Sequence, residues 1–333
     1  MTTTIGLPRS AETILATALC AALAATASSA QDRIKIGWTS YPADLSVIAD
    51  AIEGGKAAAE ALGVDVEFAL AAGAVAQANA VDNLLAAGID VLAINPEDSN
   101  AIGASVAAAN ALGIPVIMWI GDNLGGGNTV SLISSDEEAG GYTISKWAME
   151  RIGGKGRIGL IQGTKAHQAG LLRENGFERA LAEYPDIELA AYGEGNWMRD
   201  RANSVATDML TREADLSVII AFSDDMAAGV QAAVAASGGA NVPVTGYNGS
   251  CEILNSVWNG KVEATLYQGW RDIGTKVVET AVAVAKGETV ETKIVMPTYA
   301  VDKALMEDAL ATGAGDKYTA GLVADVTRAS NGC

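Results

Sequence analysis

Basic residues, histidine and cysteine are all scarce in this chain of 333 residues. It has 22 Lys and Arg against 40 Asp and Glu, which gives a formal net charge of −18. Such a surface repels phosphate backbones, so we expect no nucleic acid partner. The one histidine, His167, and three cysteines offer no plausible set of zinc ligands. We therefore expect neither a metal nor a cofactor.

Long apolar runs are missing beyond residue 30, because no later stretch reaches the roughly 18 apolar residues of a membrane span. Within residues 1–30, Arg9 precedes a short apolar stretch at 14–25, and the small residues Ser28 and Ala30 occupy −3 and −1 of a cleavage site. This order predicts a secretory signal peptide that is cleaved near Ala30. We expect a soluble mature chain in the periplasm.

Two cysteines, Cys251 and Cys333, remain beyond the signal peptide. An exported chain allows disulfides, and two cysteines allow one intrachain bridge. The pair is therefore either a staple that fixes the C-terminal tail or two unpaired thiols. With a single histidine as a possible base, no nucleophile–base pair for catalysis is readable.

Signatures of nucleotide-dependent enzymes are absent as well. There is no G-x-x-x-x-G-K-[ST], and GEGNWM at residues 193–198 lacks the last glycine of a dinucleotide fingerprint. Glu137 and Glu138 are adjacent, and adjacent side chains on a helix point in different directions. We therefore do not expect an enzyme.

Short β-branched runs alternate with alanine-rich stretches that have helical spacing. Such runs occur at residues 34–38, 64–68, 91–94 and 116–119, and the rhythm restarts near residue 157. Strands that alternate with helices predict parallel sheets with helices on both faces. No flexible linker separates the two halves, which favours a hinge between them.

Two local boundaries can also be predicted. Ser99 is a suitable N-cap for a helix at residues 99–112, because its hydroxyl can accept from a free backbone N–H. The segment VSLISSD at residues 130–136 has the composition of a strand between the two halves.

Polar and aromatic side chains follow several of these strands. Asn95, Trp119 and Asp122 stand at strand ends in the first half, and Ser223 and Asn248 stand at matching ends in the second. Ligands of doubly wound sheets bind beyond the carboxyl ends of the strands. If the two sets face each other, they can enclose a polar ligand between the halves.

Five segments together resemble a known family. They are INPEDSNAIG (94–103), RENGFERAL (173–181), AFSDDMAAGV (221–230), VTGYNGS (244–250) and KVEATLYQ (261–268). In this order they resemble the ribose-like, type I periplasmic sugar-binding proteins of ABC importers, over roughly residues 34–300. Each segment alone is weakly specific, whereas the five in order behind a signal peptide are strongly so.

The resemblance implies an α/β fold of two Rossmann-like lobes joined by a three-strand hinge. The lobes are then residues 31–135 plus 269–296 and residues 136–268 plus 297–333. It also implies a monomer that binds a small polyhydroxylated ligand, such as a sugar, polyol or sugar acid, and delivers it to an ABC permease in the inner membrane. The alternative is a ligand-sensing receptor for a chemoreceptor or sensor kinase.

Ligand contacts are implied for residues that match the family's motifs. Asn95 and Arg173 would bind ligand hydroxyls, and Trp197 would stack on the apolar face of the ligand. The remaining implied positions are Tyr41 and Asp44 in the first loop, Ser223 and Asn248 at strand ends of the second lobe, and Gln268 near the hinge. To these we add Trp119 and Asp122 from their own strand-end positions.

The chain departs from the family's pattern at the ends of three strands. Ile120-Gly121 replaces the usual Asp-Arg pair, Ser223 replaces an Asn, and Asn248 replaces an Asp. Two carboxylate acceptors are thus lost or displaced, while Arg173 remains. This favours a polyol, a modified sugar or a mildly anionic sugar derivative over an ordinary aldopyranose.

Overall fold

Residues 35–333 form one compact unit in the computed structural model of the chain. The structure describes residues 1–3, 33–238 and 241–333. The predicted signal peptide lies outside the described residues, apart from its first three positions.

Strands and helices alternate along the described chain. The strands are β1 (Lys35–Ser40), β2 (Asp65–Leu70), β3 (Val91–Ile94), β4 (Val116–Trp119), β5 (Ser131–Ser135), β6 (Lys155–Gln162), β7 (Asp186–Glu194), β8 (Leu216–Ala221), β9 (Val244–Asn248), β10 (Ala264–Tyr267), β11 (Lys293–Met296) and β12 (Tyr299–Asp302). The helices are α1 (Ser46–Leu62), α2 (Ala74–Ala86), α3 (Gly103–Ala111), α4 (Glu137–Arg151), α5 (Gln168–Leu181), α6 (Arg199–Arg212), α7 (Asp224–Ala236), α8 (Cys251–Trp258), α9 (Trp270–Ala285), α10 (Lys303–Thr312) and α11 (Ala320–Ser330).

The strands form two sheets of six that share one topology. The first has the order β11-β5-β4-β3-β1-β2, and the second has the order β12-β10-β9-β8-β6-β7. Neighbouring strands are parallel except at the edge of the second sheet, where β12 runs antiparallel to β10. The prediction of two α/β lobes with parallel sheets is confirmed, with β12 as the one strand that departs from it. The strand order reverses beside β1 in the first sheet and beside β6 in the second, where such sheets bind ligands.

Helices cover both faces of each sheet, so the central strands are buried and their sequences are hydrophobic. Every residue of β3 and β4 is buried, as expected for central parallel strands. Helix α1 buries apolar residues that include Ile48, Ile52 and Ala59, and Gly63 ends it in a left-handed conformation at φ 69°.

One of the two local boundaries is confirmed and the other is wrong. Residues 130–136 contain β5, as predicted. Ser99 does not cap a helix, because Asp98 accepts from the backbone N–H groups of Asn100 and Ala101 and so holds a turn there. Helix α3 therefore begins only at Gly103.

The chain passes between the two sheets three times, after β5, after β10 and between β11 and β12. Glycines allow close helix packing near these crossings. A Cβ atom at Gly141 of α4 would lie 2.3 Å from the carbonyl oxygen of Arg173 in α5, and one at Gly176 of α5 would lie 2.2 Å from that of Glu138 in α4. The exact lobe boundaries stay a prediction.

The C-terminal tail packs against the second lobe. Helix α11 buries Leu322, Val326 and Ala329, and the last residue, Cys333, forms a disulfide with Cys251 at the start of α8. No helix among the described residues is long and apolar enough to cross a membrane.

Candidate ligand-binding cleft

A cavity lies where the carboxyl ends of the two sheets meet. It holds about 450 Å³ of empty space, counting its open mouth. Side chains from both lobes line it: Tyr41, Leu45, Val47, Ile48, Asn95, Ile120, His167, Ala169, Arg173, Trp197, Ser223, Asp225, Asn248 and Trp270. Six of these were predicted from the sequence, namely Tyr41, Asn95, Arg173, Trp197, Ser223 and Asn248.

Unusual backbone conformations concentrate at this cavity. Among the described residues, four that are not glycine have positive φ: Ile120 (61°), Asn196 (51°), Trp197 (66°) and Asn248 (113°). Three of them line the cavity, and Asn196 adjoins one of those three. A β-branched residue such as Ile120 rarely adopts this conformation, which costs roughly 1–3 kcal/mol at each site. Strain of this kind is typical of positions that a protein keeps for binding.

Arg173 is the one Lys or Arg among the residues that line the cavity. Its Nε donates to Glu137 Oε2 at 2.8 Å, and its Nη1 donates to the Phe222 carbonyl at 2.6 Å. The guanidinium lies 3.8 Å from the ring centroid of Tyr247 and 5.2 Å from that of Trp197. These contacts hold the group in place, while Nη2 has no hydrogen-bond partner among the described residues and remains available to a ligand.

His167 lines the cavity but was not predicted as a site residue. Its Nδ1 accepts from the backbone N–H of Ala169, which leaves the hydrogen on Nε2. Nε2 therefore donates to Asn95 Oδ1 across the cleft, at 3.0 Å. Burial, together with the positive charge of Arg173, lowers the pKa of His167 to about 3, so the ring is neutral at physiological pH.

Gly121 leaves the space that His167 occupies. A Cβ atom at Gly121 would lie 2.5 Å from His167 Nε2 and 2.6 Å from its Cε1. The sequence did indicate an altered cleft at this position, because Gly121 stands where the resembling family has an Arg. The incoming histidine could not be inferred, since it follows β6 in the other lobe.

Aromatic rings cover two sides of the cavity. The Trp197 ring lies against Gly163, where a Cβ atom would meet the ring at 2.0 Å. Trp270 closes another side, and its indole N–H is buried without a partner among the described residues. Apolar faces of this kind suit the C–H surface of a sugar or polyol, and the free N–H suits a hydroxyl oxygen.

Carboxylates lie at the start of α7, on the second-lobe side. Ser223 caps this helix by accepting from the Met226 N–H. Asp224 is buried behind the wall, where it accepts from Thr265 and Ser250, and burial raises its pKa to about 7. Asp225 lines the cavity, and burial raises its pKa as well.

Direct contacts join the lobes around the cavity. Ser46 Oγ donates to Asp225 Oδ2 at 3.3 Å, in addition to the Asn95–His167 bond. Ser99 N donates to the Ala166 carbonyl at 3.0 Å, and Ser99 Oγ accepts from the Gln168 N–H at 3.1 Å. The structure is therefore that of a closed cleft.

Four residues predicted for the site do not line this cavity. Trp119 is fully buried and packs against Trp38 and Trp270, and Asp44 is exposed in the first loop. Asp122 lines a second, neighbouring cavity, together with residues such as Ser134 and Gln168. Gln268 lies behind the wall, where its Oε1 accepts from Asn248 Nδ2 at 2.8 Å. Direct ligand contact by these four stays a prediction.

The described residues include no group of three or more His, Cys, Asp and Glu side chains that could hold a metal ion. The wall instead combines planar hydrogen-bonding groups with aromatic faces. Asn95, Arg173 and Asn248 each keep hydrogen-bonding capacity beyond their protein partners, which suits the hydroxyls of a polyhydroxylated molecule.

Two similar lobes that close on a polar and aromatic cavity define a binding protein of the two-lobed, hinged class. The sequence bears this out, since the profile of the periplasmic binding protein domain matches residues 36–289. The chain belongs to the periplasmic binding protein family, and within it to the type I sugar-binding proteins.

Several curated relatives have at least 30% identity, and they include a xylitol-binding protein and ribose import binding proteins. The chain is 31% identical over 278 residues to the xylitol-binding protein of Mycolicibacterium smegmatis, covering 82% of this chain and 78% of the relative. It is 34% identical over 226 residues to the ribose import binding protein of Escherichia coli, covering 68% of this chain and 74% of the relative.

Solved structures show the same fold. A solute-binding protein of an ABC transporter from Actinobacillus succinogenes, with bound D-allose, has a TM-score of 0.78 at 26% identity and covers 83% of this chain and 100% of its own. A solute-binding protein of an ABC transporter from Mycobacterium smegmatis, with bound glycerol, has a TM-score of 0.79 at 29% identity. It covers 86% of this chain and 99% of its own.

Proposed function

We propose that this protein is the periplasmic receptor of an ABC importer and that it encloses a sugar, a polyol or a related derivative between its lobes. Binding would be followed by release to the permease, with no chemical conversion of the ligand. The closed arrangement of the lobes would be the state that the permease recognises.

One observation carries this proposal. Asn95 from the first lobe and Arg173 and Asn248 from the second present hydrogen-bonding groups to a single cavity, and Trp197 covers it. A ligand that contacts both lobes binds the closed state more tightly than the open state and so shifts the equilibrium toward closure. Relatives named for xylitol and ribose support a polyhydroxylated ligand, and the name of the ribose relative supports import over sensing.

The proposal extends to the residues behind the wall and to the location of the protein. Gln268 would act through Asn248, which it fixes, and Trp119 would support Trp270 from the core. Export by the signal peptide at residues 1–30 would place the mature chain in the periplasm.

A thermal-shift screen over sugars, polyols and sugar acids, followed by calorimetry, tests this function. A true ligand at 100 times its Kd raises the unfolding free energy by about 2.7 kcal/mol, which gives a clear rise in Tm. Mass spectrometry of the ligand after incubation should find it unchanged. The absence of any shift, or the appearance of a product, would contradict the proposal.

A matched pair of variants connects binding to the cleft. Asn95→Ala removes a buried polar group that faces the cavity, and we expect affinity to fall about tenfold to a hundredfold. Asn83→Ala removes the same side chain from the exposed surface of α2 in the same lobe and should leave affinity unchanged. Equal affinity of the two variants would place the ligand elsewhere.

A further inference from the structure

Glu137 is a buried carboxylate that sequence analysis did not assign to the site. It is the first residue of α4, directly after the crossing that follows β5, and is 2% exposed. Three donors surround it: Arg173 Nε at 2.8 Å, the Tyr247 hydroxyl at 3.0 Å and Gln268 Nε2 at 2.7 Å. A buried carboxylate needs such partners, because an unpaired one is very costly.

Glycines allow this carboxylate to approach its partners. A Cβ atom at Gly140 would lie 2.2 Å from the Tyr247 hydroxyl, and one at Gly141 would lie 2.3 Å from the Arg173 carbonyl. The sequence Glu137-Glu138-Ala139-Gly140-Gly141 thus brings α4 close enough to α5 and β9 for Glu137 to reach Arg173.

The pair changes what Arg173 offers to a ligand. Its positive charge is balanced at 2.8 Å by Glu137, which does not line the cavity, whereas Arg173 does. Nε and Nη1 are taken by Glu137 and the Phe222 carbonyl, so Nη2 is the donor left for a ligand. A ligand hydroxyl gains the hydrogen bond and brings no charge. A ligand carboxylate gains the same bond but is repelled by Glu137, and charge interactions are strong in a closed, poorly hydrated site.

No other cation compensates for Glu137 at the described cavity wall. Arg173 is its one Lys or Arg, and His167 is neutral. Asp225 adds a second carboxylate to the wall and pairs with Arg199 at 3.7 Å. Among the residues that line the cavity, Arg173 therefore has Glu137 as its ion-pair partner, and no second Lys or Arg is available to a ligand anion.

We propose that Glu137 restricts the cleft to uncharged polyhydroxylated ligands by holding Arg173 in an ion pair. The inference depends on the proposed function above, because it concerns which members of that ligand class bind. A mildly anionic sugar derivative was one of the ligands expected from the sequence, because Arg173 was considered there without Glu137. The ion pair now favours the neutral ligands over it.

The experiment compares neutral probes with their acid counterparts. Calorimetry measures the Kd of ribose and xylitol, of any other neutral ligand found in the screen, and of ribonate, xylonate or the matching aldonate. We expect the wild type to bind a neutral probe at least about tenfold more tightly than its acid, and Glu137→Gln to reduce this ratio about tenfold. The neutral ligand should lose less affinity than this, since the amide can still accept from Arg173 Nε.

Two control variants separate charge from structure. Glu137→Asp keeps the charge with a shorter side chain, so it should weaken both probes while the ratio still favours the neutral one. Glu138→Gln removes a carboxylate at the next position, which pairs with Arg179 on the surface, and should leave the ratio unchanged. Circular dichroism and Tm establish that each variant is folded.

Three results would overturn the inference. One is a wild type that binds an acid as tightly as its neutral counterpart, which can be measured without any variant. Another is a folded Glu137→Gln variant with the wild-type ratio. Failure of the wild type to bind any neutral sugar or polyol while it binds an unrelated molecule would instead overturn the proposed function, and the inference with it.

Discussion

His167 reaches the cleft from the loop after β6 and forms a hydrogen bond with Asn95 of the other lobe. The same ring is 6.0 Å from the Tyr41 ring and 6.3 Å from the Trp197 ring, centroid to centroid. Burial and the positive charge of Arg173 both oppose protonation of the ring and lower its pKa to about 3. In this closed cleft the ring is therefore neutral at physiological pH.

We predict that acid weakens ligand binding through His167. The pKa is about 3 in the closed form and should approach the ordinary value of about 6.5 when opening exposes the ring to water. Below that value the open form gains a proton and the closed form does not, so the equilibrium shifts toward opening. Affinity should fall by up to about thirtyfold from pH 7 to pH 5, measured by calorimetry.

The variant His167→Gln is the control, because its amide can donate to Asn95 without titrating. Asp224 and Glu97, whose pKa values burial raises to about 7, titrate in both proteins. The difference between the two pH profiles therefore reports on His167 alone. Identical profiles would show that the histidine does not couple protonation to closure.

At the scale of single residues, the sequence predicted the residues that line the cavity better than the residues that support or cross it. Asn95, Arg173 and Asn248 could be predicted because each occupies a strand end or motif that faces the cleft. Glu137 and His167 could not, since a carboxylate next to Glu138 and a lone histidine gain their roles only through contacts with distant elements. Trp119 is the opposite case, because the sequence predicted it at the site and its ring is buried in the core.

Helix α11 is the element that the disulfide fixes. Cys333 follows it by three residues and bonds to Cys251, and Asn255 Nδ2 of α8 donates to the Ala329 carbonyl at 2.7 Å. The bridge closes a separation of 82 residues, so it restricts the unfolded chain substantially. The tail is therefore held by both packing and a covalent bond.

We predict that the double variant Cys251→Ser, Cys333→Ser is less stable but binds as before. The unfolding free energy should fall by about 2–4 kcal/mol, because the unfolded state regains the entropy of an open loop. Urea unfolding measures this loss, and the wild type in reductant should behave alike. Neither cysteine lines the cavity, so the Kd serves as the control. An unchanged urea midpoint would mean that packing alone holds the tail.

The sequence predicted the type of each element more reliably than its ends. The composition of residues 130–136 located β5, because a strand signal of this kind acts over a few neighbouring residues. The predicted start of α3 at Ser99 is wrong because Asp98 forms a local turn there. The Ser99 hydroxyl accepts from the Gln168 N–H instead of capping the helix. A hydroxyl that suits a helix cap also suits a contact between lobes, and only the fold decides between them.

On the scale of the whole molecule, closure depends on bonds between the lobes as well as on the ligand. Ser99 is fully buried, with its N–H bonded to the Ala166 carbonyl and its Oγ to the Gln168 N–H. The Asp122 N–H donates to Gln168 Oε1 at 3.2 Å beside it. This contact lies away from the cavity lining, so it affects the equilibrium between open and closed forms and not the ligand directly.

We predict that Ser99→Ala weakens binding without removing any ligand contact. The Gln168 N–H loses its partner in the closed form but can bond to water in the open form, which costs closure about 1 kcal/mol. Affinity should fall about fivefold, and small-angle scattering of the ligand-free protein should show a larger radius of gyration. Ser105→Ala, buried on α3 within the first lobe, is the control. Wild-type affinity and radius in Ser99→Ala would contradict this view of closure.

The architecture as a whole was predictable, because repeated strand–helix units specify parallel sheets and their ligand-binding edge. The antiparallel β12 was not, since its short sequence carries no signal of direction. The distance between the lobes was also beyond the sequence, because it depends on contacts such as Ser46 with Asp225 that join residues far apart in the chain.

The disulfide at the C-terminus also settles on which lobe the described chain ends. The chain enters the first sheet at Lys35, whereas Cys333 is tied to α8 of the second lobe. A fluorescent donor placed just ahead of Lys35 and an acceptor fused after Cys333 would ride on different halves of the protein. Energy transfer between them would then follow opening and closing in real time and make the protein a genetically encoded sensor of its own ligand.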